Sequence, residues 1–236
     1  MRILYFHQHF STPQGFTGTR SYEFAKALIK RGHTVTMVCG NYAVADTGIR
    51  KAFVHNIRYG NVSGINVVEL KLDYSNSDNY MKRAVTFIKY AIKGIQISML
   101  HKYDLIYATS TPLTAGIPGI ISKLVRRKKF IFEVRDLWPE LPKAMGVINN
   151  PVVLKLMDTL EYISYYTSDA CIGLSPGIVH GIKSKVPSKR VALIPNGCDL
   201  NMSNVHSSTN DKDEFIVAFT GAHGLANGLD AVLDAA

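Results

Sequence analysis

Short, almost continuously apolar runs at 2–6, 34–39, 65–70, 104–108, 129–134, 170–174 and 191–195 alternate with longer stretches of helical spacing at 19–31, 79–101, 113–126, 151–167 and 177–185. That alternation leaves few folds open. A run of four to six residues without polar alternation is a strand buried on both faces, as in a parallel sheet covered by helices. Repetition of strand, helix and strand makes right-handed crossovers. The expected fold is α/β, a doubly wound, Rossmann-like parallel sheet of seven strands filling residues 1–199. Residues 200–213 are polar and aperiodic and read as a linker. Over 214–236 the pattern restarts with Phe215–Thr220, a glycine-rich turn and a helix from about 226, the first βα unit of a second domain. One βα unit cannot bury its own faces, so the expectation is either that it packs on the first domain or that the chain is part of a longer protein.

Composition narrows the function classes. With 47% hydrophobic residues the chain is not disordered, and 27 Lys+Arg against 18 Asp+Glu give a net charge of +9. Such a balance favours anionic partners, whether phosphates or acidic lipid surfaces. Nucleic acid is not expected, because no stacking aromatics interleave with the charge and no nucleic-acid module is present. Cys39, Cys171 and Cys198 lack metal-ligand spacing and read as buried free thiols of a reducing compartment. No stretch reaches the ~20 apolar residues of a membrane span, and a cytoplasmic location is expected, extending to a peripheral position on the inner face of the plasma membrane.

In an open parallel sheet, ligands bind beyond the carboxyl ends of the strands, so the residues after each run carry the interest. After the first run, the loop His7–Arg20 contains Gly15 and Gly18, whose backbone leaves room for a phosphate at the start of a helix, with Arg20 as an anion contact. Neither G-x-G-x-x-G nor a P-loop is present. His7 and His9 read as structural rather than as a metal pair. After 129–134, Arg135 and Asp136 stand beside Trp138, the only tryptophan, and a carboxylate there suits orienting a sugar hydroxyl or accepting a proton. Ser175-Pro176-Gly177 is a helix cap, not a hydrolase nucleophile. Pro195-Asn196-Gly197-Cys198-Asp199 makes a turn at the domain boundary, and Gly221 and His223 open the last helix. Segment 81–102 combines Lys82, Arg83, Lys89 and Lys93 with a run of isoleucines. It reads as a crossover helix, with an amphipathic helix on an anionic bilayer as the alternative. Arg126–Lys129 reads as a charged loop that adds to the same field.

Together, F-x-x-P-x-G-x-x-G-x-R (Phe10 to Arg20), R-G-H-x-V (Arg31 to Val35), R-D-L-W-P-E (Arg135 to Glu140), L-E-x6-S-D (Leu160 to Asp169), L-S-P-G (Leu174 to Gly177), P-N-G-x-D (Pro195 to Asp199) and T-G-x-x-G-x-x-x-G-L-D (Thr220 to Asp230) form an ordered series. It resembles the amino-terminal half of the family 4 retaining glycosyltransferases, which have the GT-B fold of two facing Rossmann-like domains. The R-D-L-W-P-E element is similar to the branch that builds bacterial surface polysaccharides, including N-acetylfucosaminyl transferases of O-antigen and capsule. The resemblance implies transfer of a sugar from a nucleotide sugar, a UDP-sugar, to a lipid-linked saccharide, with no metal and no cofactor. It places Asp136 and Arg135 at the donor sugar and Gly15, Gly18, Asn196, Gly197, Asp199, Gly221 and His223 around the donor. The family's E-x7-E element is missing, so the chain alone is expected to be inactive. The competing readings are a sugar-nucleotide epimerase of similar fold and a non-catalytic membrane-associated binding module.

Overall fold

A computed structural model describes residues 1–75, 78–146, 148–197, 218–221 and 227–235. The strands are β1 (Arg2–Phe6), β2 (Thr34–Tyr42), β3 (Ile57–Val62), β4 (Ile65–Tyr74), β5 (Leu105–Thr109), β6 (Lys129–Val134), β7 (Ala170–Gly173) and β8 (Val191–Leu193). The helices are α1 (Arg20–Lys30), α2 (Tyr80–Leu100), α3 (Ile117–Arg126), α4 (Glu140–Ala144), α5 (Pro151–Thr167), α6 (Pro176–Lys185) and α7 (Asp230–Asp234). The eight strands among the described residues join one sheet in the order β3-β4-β2-β1-β5-β6-β7-β8, parallel except for β3, which pairs antiparallel with β4.

The central parallel strands alternate between two cores. From β1, Leu4 and Phe6 join Val38, Ile106, Ala108, Phe130 and Phe132 on one face, covered by α2, α3, α5 and α6 through Tyr90, Ile97, Ile120, Tyr165 and Ile182. Ile3 and Tyr5 turn the other way to meet Val35, Met37 and Tyr107, beneath Tyr22 and Ala25 of α1. Both faces are buried, which is why the strands read as unbroken apolar runs.

Local chemistry sets the helix limits. Asn79, Asn150 and Ser175 cap α2, α5 and α6 by accepting backbone N–H bonds. α1 ends in a Schellman motif: Gly32, at φ +80°, donates to Ile29 O, and His33 donates to Leu28 O. The basic run is not a free loop throughout, since Arg126 donates to the carbonyls of Ser98 and His101 at the end of α2. Two elements were absent from the sequence reading, β3 and α4. Two strands outrun their apolar runs at 34–39 and 65–70, since β2 continues to Tyr42 and β4 to Tyr74. Residues 218–220 carry no strand and α7 is short. The remainder of the restart, and Cys198, Asp199 and His223, lie outside the described residues.

Candidate functional site

The strand order reverses beside β1, whose neighbours β2 and β5 lead to opposite edges of the sheet. Loops leaving β1 and β5 diverge there and open a crevice at the carboxyl ends, the usual ligand position in such sheets. A cleft of about 410 Å³ lies there. It is lined by His7 and His9 after β1, Thr17 and Gly18 before α1, Tyr42 and Tyr74 at the ends of β2 and β4, and Arg83 in the first turn of α2. Thr111, Arg135, Asp136, Leu174 and Asn196 complete the lining from beyond β5 to β8.

At its centre Arg135 is held from two sides. Its backbone N–H donates to Ser110 Oγ at 2.9 Å, and its Nη1 donates to His7 Nε2 at 3.3 Å. Because that nitrogen accepts, His7 carries its proton on Nδ1 and donates it to Ser21 Oγ at 2.5 Å. Burial, then the adjacent Arg135 and His9, hold the His7 pKa well below its ordinary value, so the ring is neutral and serves as a support for the guanidinium. Asp136 accepts from Thr111 Oγ1 at 3.3 Å. Thr111 holds φ 102°, a costly conformation for a β-branched residue, at the floor of the cleft.

The buried acid Glu161 braces this loop from behind. It accepts from the Trp138 backbone N–H at 2.7 Å and the Tyr165 hydroxyl at 2.6 Å, and it pairs with Lys185. Asp169 similarly ties the start of β6, accepting from Phe130 N and pairing with Lys123. Of the acids in the L-E…S-D motif, Glu161 thus braces the site loop without lining the cleft, whereas Asp169 secures the opposite end of β6.

The other sequence-selected residues separate by place. Gly18 lines the cleft, and a Cβ there would stand 3.8 Å from Arg135 Nη2. Gly15 instead fills the loop's interior, where a Cβ would lie 2.2 Å from Ser11 Oγ and 2.6 Å from Asp46 N. The guanidinium of Arg20 is occupied by protein: Nε by Glu133 at 2.6 Å, Nη1 by Pro195 O and Asn196 Oδ1, Nη2 by Ile194 O. It ties the end of β8 to the helix that follows β1. Asn196 lines the cleft; Gly197 is exposed beyond it, and Gly221 is exposed beside Phe219. Lys82, Lys89 and Lys93 are exposed on α2, whereas Arg83 turns into the cleft.

The sequence reading missed Tyr42, Tyr74, Thr111 and the part played by His9. Tyr42 pairs with Tyr74 after a register shift between Gly40 and Tyr42, and such irregularities re-aim side chains. The rings lie 5.3 Å apart, and His9 packs on them at 5.0 and 4.7 Å. Burial, reinforced by Arg83 and Arg135, lowers the His9 pKa to about 4. Among the described residues, no three His, Cys, Asp or Glu side chains gather to hold a metal, and no helix is long and apolar enough to cross a membrane.

A ligand cleft over the switch point of a doubly wound sheet defines a Rossmann-like ligand-binding domain. The chain belongs to Glycosyltransferase Family 4, whose model matches residues 17–202, more than half of the sequence. Solved structures that it resembles include Anabaena Alr3699/HepE in complex with UDP-glucose, at 18% identity and TM-score 0.46, covering 85% of this chain and 45% of that one. Phytolacca americana apo UGT2 matches at 9% identity and TM-score 0.47, over 83% and 52%. The same enzyme complexed with UDP-2fluoro-glucose and pterostilbene matches at 10% and 0.44, over 83% and 53%. The chain therefore spans about half the length of these structures. No curated protein matches it.

Proposed function

We propose that this chain forms the acceptor-side half of a retaining glycosyltransferase that moves a sugar from a nucleotide sugar, a UDP-sugar, to an acceptor hydroxyl. Family membership supports the reaction class. The observation that carries the site is the Arg135–Asp136 pair fixed over the switch point. In the transfer, the bond from the anomeric carbon to the nucleoside diphosphate breaks and a bond to the acceptor oxygen forms. Arg135, kept in place by neutral His7, faces the negative charge that develops on the departing diphosphate. Asp136 is the one carboxylate lining the cleft among the described residues, and it orients a sugar hydroxyl or takes up the acceptor's proton. Gly18, the Thr17 hydroxyl, which has no partner among the described residues, and the start of α1, whose N-cap Thr19 makes no side-chain cap, offer donors to a phosphate. In this proposal Asn196, Gly197, Asp199, Gly221 and His223 belong to the donor side.

A lipid-linked saccharide acceptor, in the synthesis of a bacterial surface polysaccharide, extends the same reading. Its support is α2, whose Met81, Val85, Ile88 and Ile92 make an exposed apolar stripe flanked by Lys82, Lys89 and Lys93. An apolar stripe with a basic border suits an anionic membrane surface. The test is to give the full product of the gene a panel of UDP-, GDP- and dTDP-sugars with a lipid-linked acceptor and measure release of nucleoside diphosphate. Release from one donor is expected; silence across the panel defeats the reading.

A further inference from the structure

The cleft has two chemically different halves. Arg135, Asp136 and Asn196 lie over β6 to β8. Across from them, the rings of Tyr42, Tyr74 and His9 form a wall over β2 and β4, backed by Phe87 at 5.5 Å from Tyr74. The Arg83 guanidinium stands 5.9 Å from the centre of the Tyr74 ring. Arg83 Nε and His9 Nδ1 are both buried and have no hydrogen-bond partner among the described residues, although the Arg83 side chain is also hydrogen-bonded to that of Tyr74. The neighbouring carboxylate of Asp78 is held by Lys82 at 2.6 Å. Buried polar atoms are almost always paired, and a charged donor left unpaired is costly. Here the unpaired atoms lie on residues that line a cleft with room for a ligand.

We propose that this half is a subsite for an anionic glycosyl acceptor, a sugar ring bearing a phosphate ester, with Arg83 as the residue that selects the charge. The aromatic wall receives the C–H face of the ring, and the guanidinium pairs with phosphate oxygens in its fork geometry. Arg83 is two residues from both Met81 and Val85, so it leaves α2 on the side opposite the exposed stripe and faces the cleft. Calling the ligand an acceptor rests on the glycosyltransferase reading; binding of the sugar phosphate does not require transfer.

The test is calorimetric titration of the full chain with glucose 1-phosphate, glucose and inorganic phosphate, with and without UDP. Glucose 1-phosphate is expected to bind at least tenfold more tightly than either fragment and to remain bound when UDP is added. Arg83→Gln should abolish the advantage over glucose, and Arg83→Lys should restore part of it. Tyr74→Ala should weaken glucose and glucose 1-phosphate alike, with urea midpoints showing that each variant folds. An unchanged preference in Arg83→Gln, equal binding of inorganic phosphate, or displacement by UDP overturns the proposal. So does an Arg83→Gln protein that loses binding to phosphatidylglycerol vesicles while keeping its affinity for glucose 1-phosphate. Sugar-phosphate binding without nucleotide release would sink the transferase reading and leave the subsite standing; the converse would sink the subsite alone.

Discussion

Arg20 and Glu133 are both nearly sealed from water, with side-chain exposures of 8% and 1%. Removing one partner strands a buried charge, so Arg20→Ala should destabilise the fold by about 3–5 kcal/mol, seen as a lower urea midpoint. A role confined to ligand contact would leave the midpoint unchanged. His9 gives a pH dependence of defined sign. Its folded-state pKa is about 4, against about 6.5 in the unfolded chain. Between these values the unfolded chain takes up a proton that the folded one refuses. Stability is therefore level above about pH 6.5 and falls as pH drops towards 4, by up to about 3 kcal/mol from this group. Neutral His7 acts in the same direction. His9→Gln should flatten the fall between pH 7 and 4.5, measured by the difference in urea midpoints; an unaltered slope would remove His9 as its source.

At the scale of elements, α3 approaches the sheet at Gly119, where a Cβ would stand 2.2 Å from the fully buried Phe130 ring. Alanine is the better helix former, yet overpacking here should outweigh that gain and cost about 1–3 kcal/mol, measurable by thermal melting. The elements legible in the sequence were the central strands buried on both faces, the longer helices, and the apolar run of the partly exposed edge strand β8. β3 escaped because Arg58, Gly60 and Asn61 interrupt IRYGNV on an edge strand with partly exposed side chains. Its only local signal was Ser63-Gly64, both at positive φ, the turn joining β3 to β4. α4 escaped because it is five residues long and contains Pro142. In the site, Arg135, Asp136, Gly18 and Asn196 were legible because the carboxyl-end rule points to loops. Tyr42 and Tyr74 were not, because polar residues conceal the last turns of their strands. Glu161 and Asp169 stood in a recognisable motif, but the bracing of the loop after β6 by Glu161, and of the start of β6 by Asp169, depends on contacts no linear pattern contains.

Across the whole molecule, the helix layer opposite α1 leaves apolar side chains in water: Met81, Val85, Ile88 and Ile92 of α2, Leu124 and Val125 of α3, Val152, Leu156 and Tyr166 of α5. With a net charge of +9, that face should associate with anionic vesicles and release them as salt rises. Replacing Lys82, Lys89 and Lys93 with glutamine should weaken association about 100-fold, at roughly 1 kcal/mol per lysine. Equal partitioning to neutral and anionic vesicles would dismiss the membrane role.

The central claim is that sugar transfer occurs in the cleft over the β1/β5 switch point, with Asp136 at the reacting centre. Its most direct test is the transfer rate of the full gene product carrying Asp136→Asn, with the urea midpoint as a control for folding. We expect a loss of at least about 100-fold in kcat with the fold intact. A well-folded variant that transfers sugar within twofold of the unaltered protein would contradict the claim.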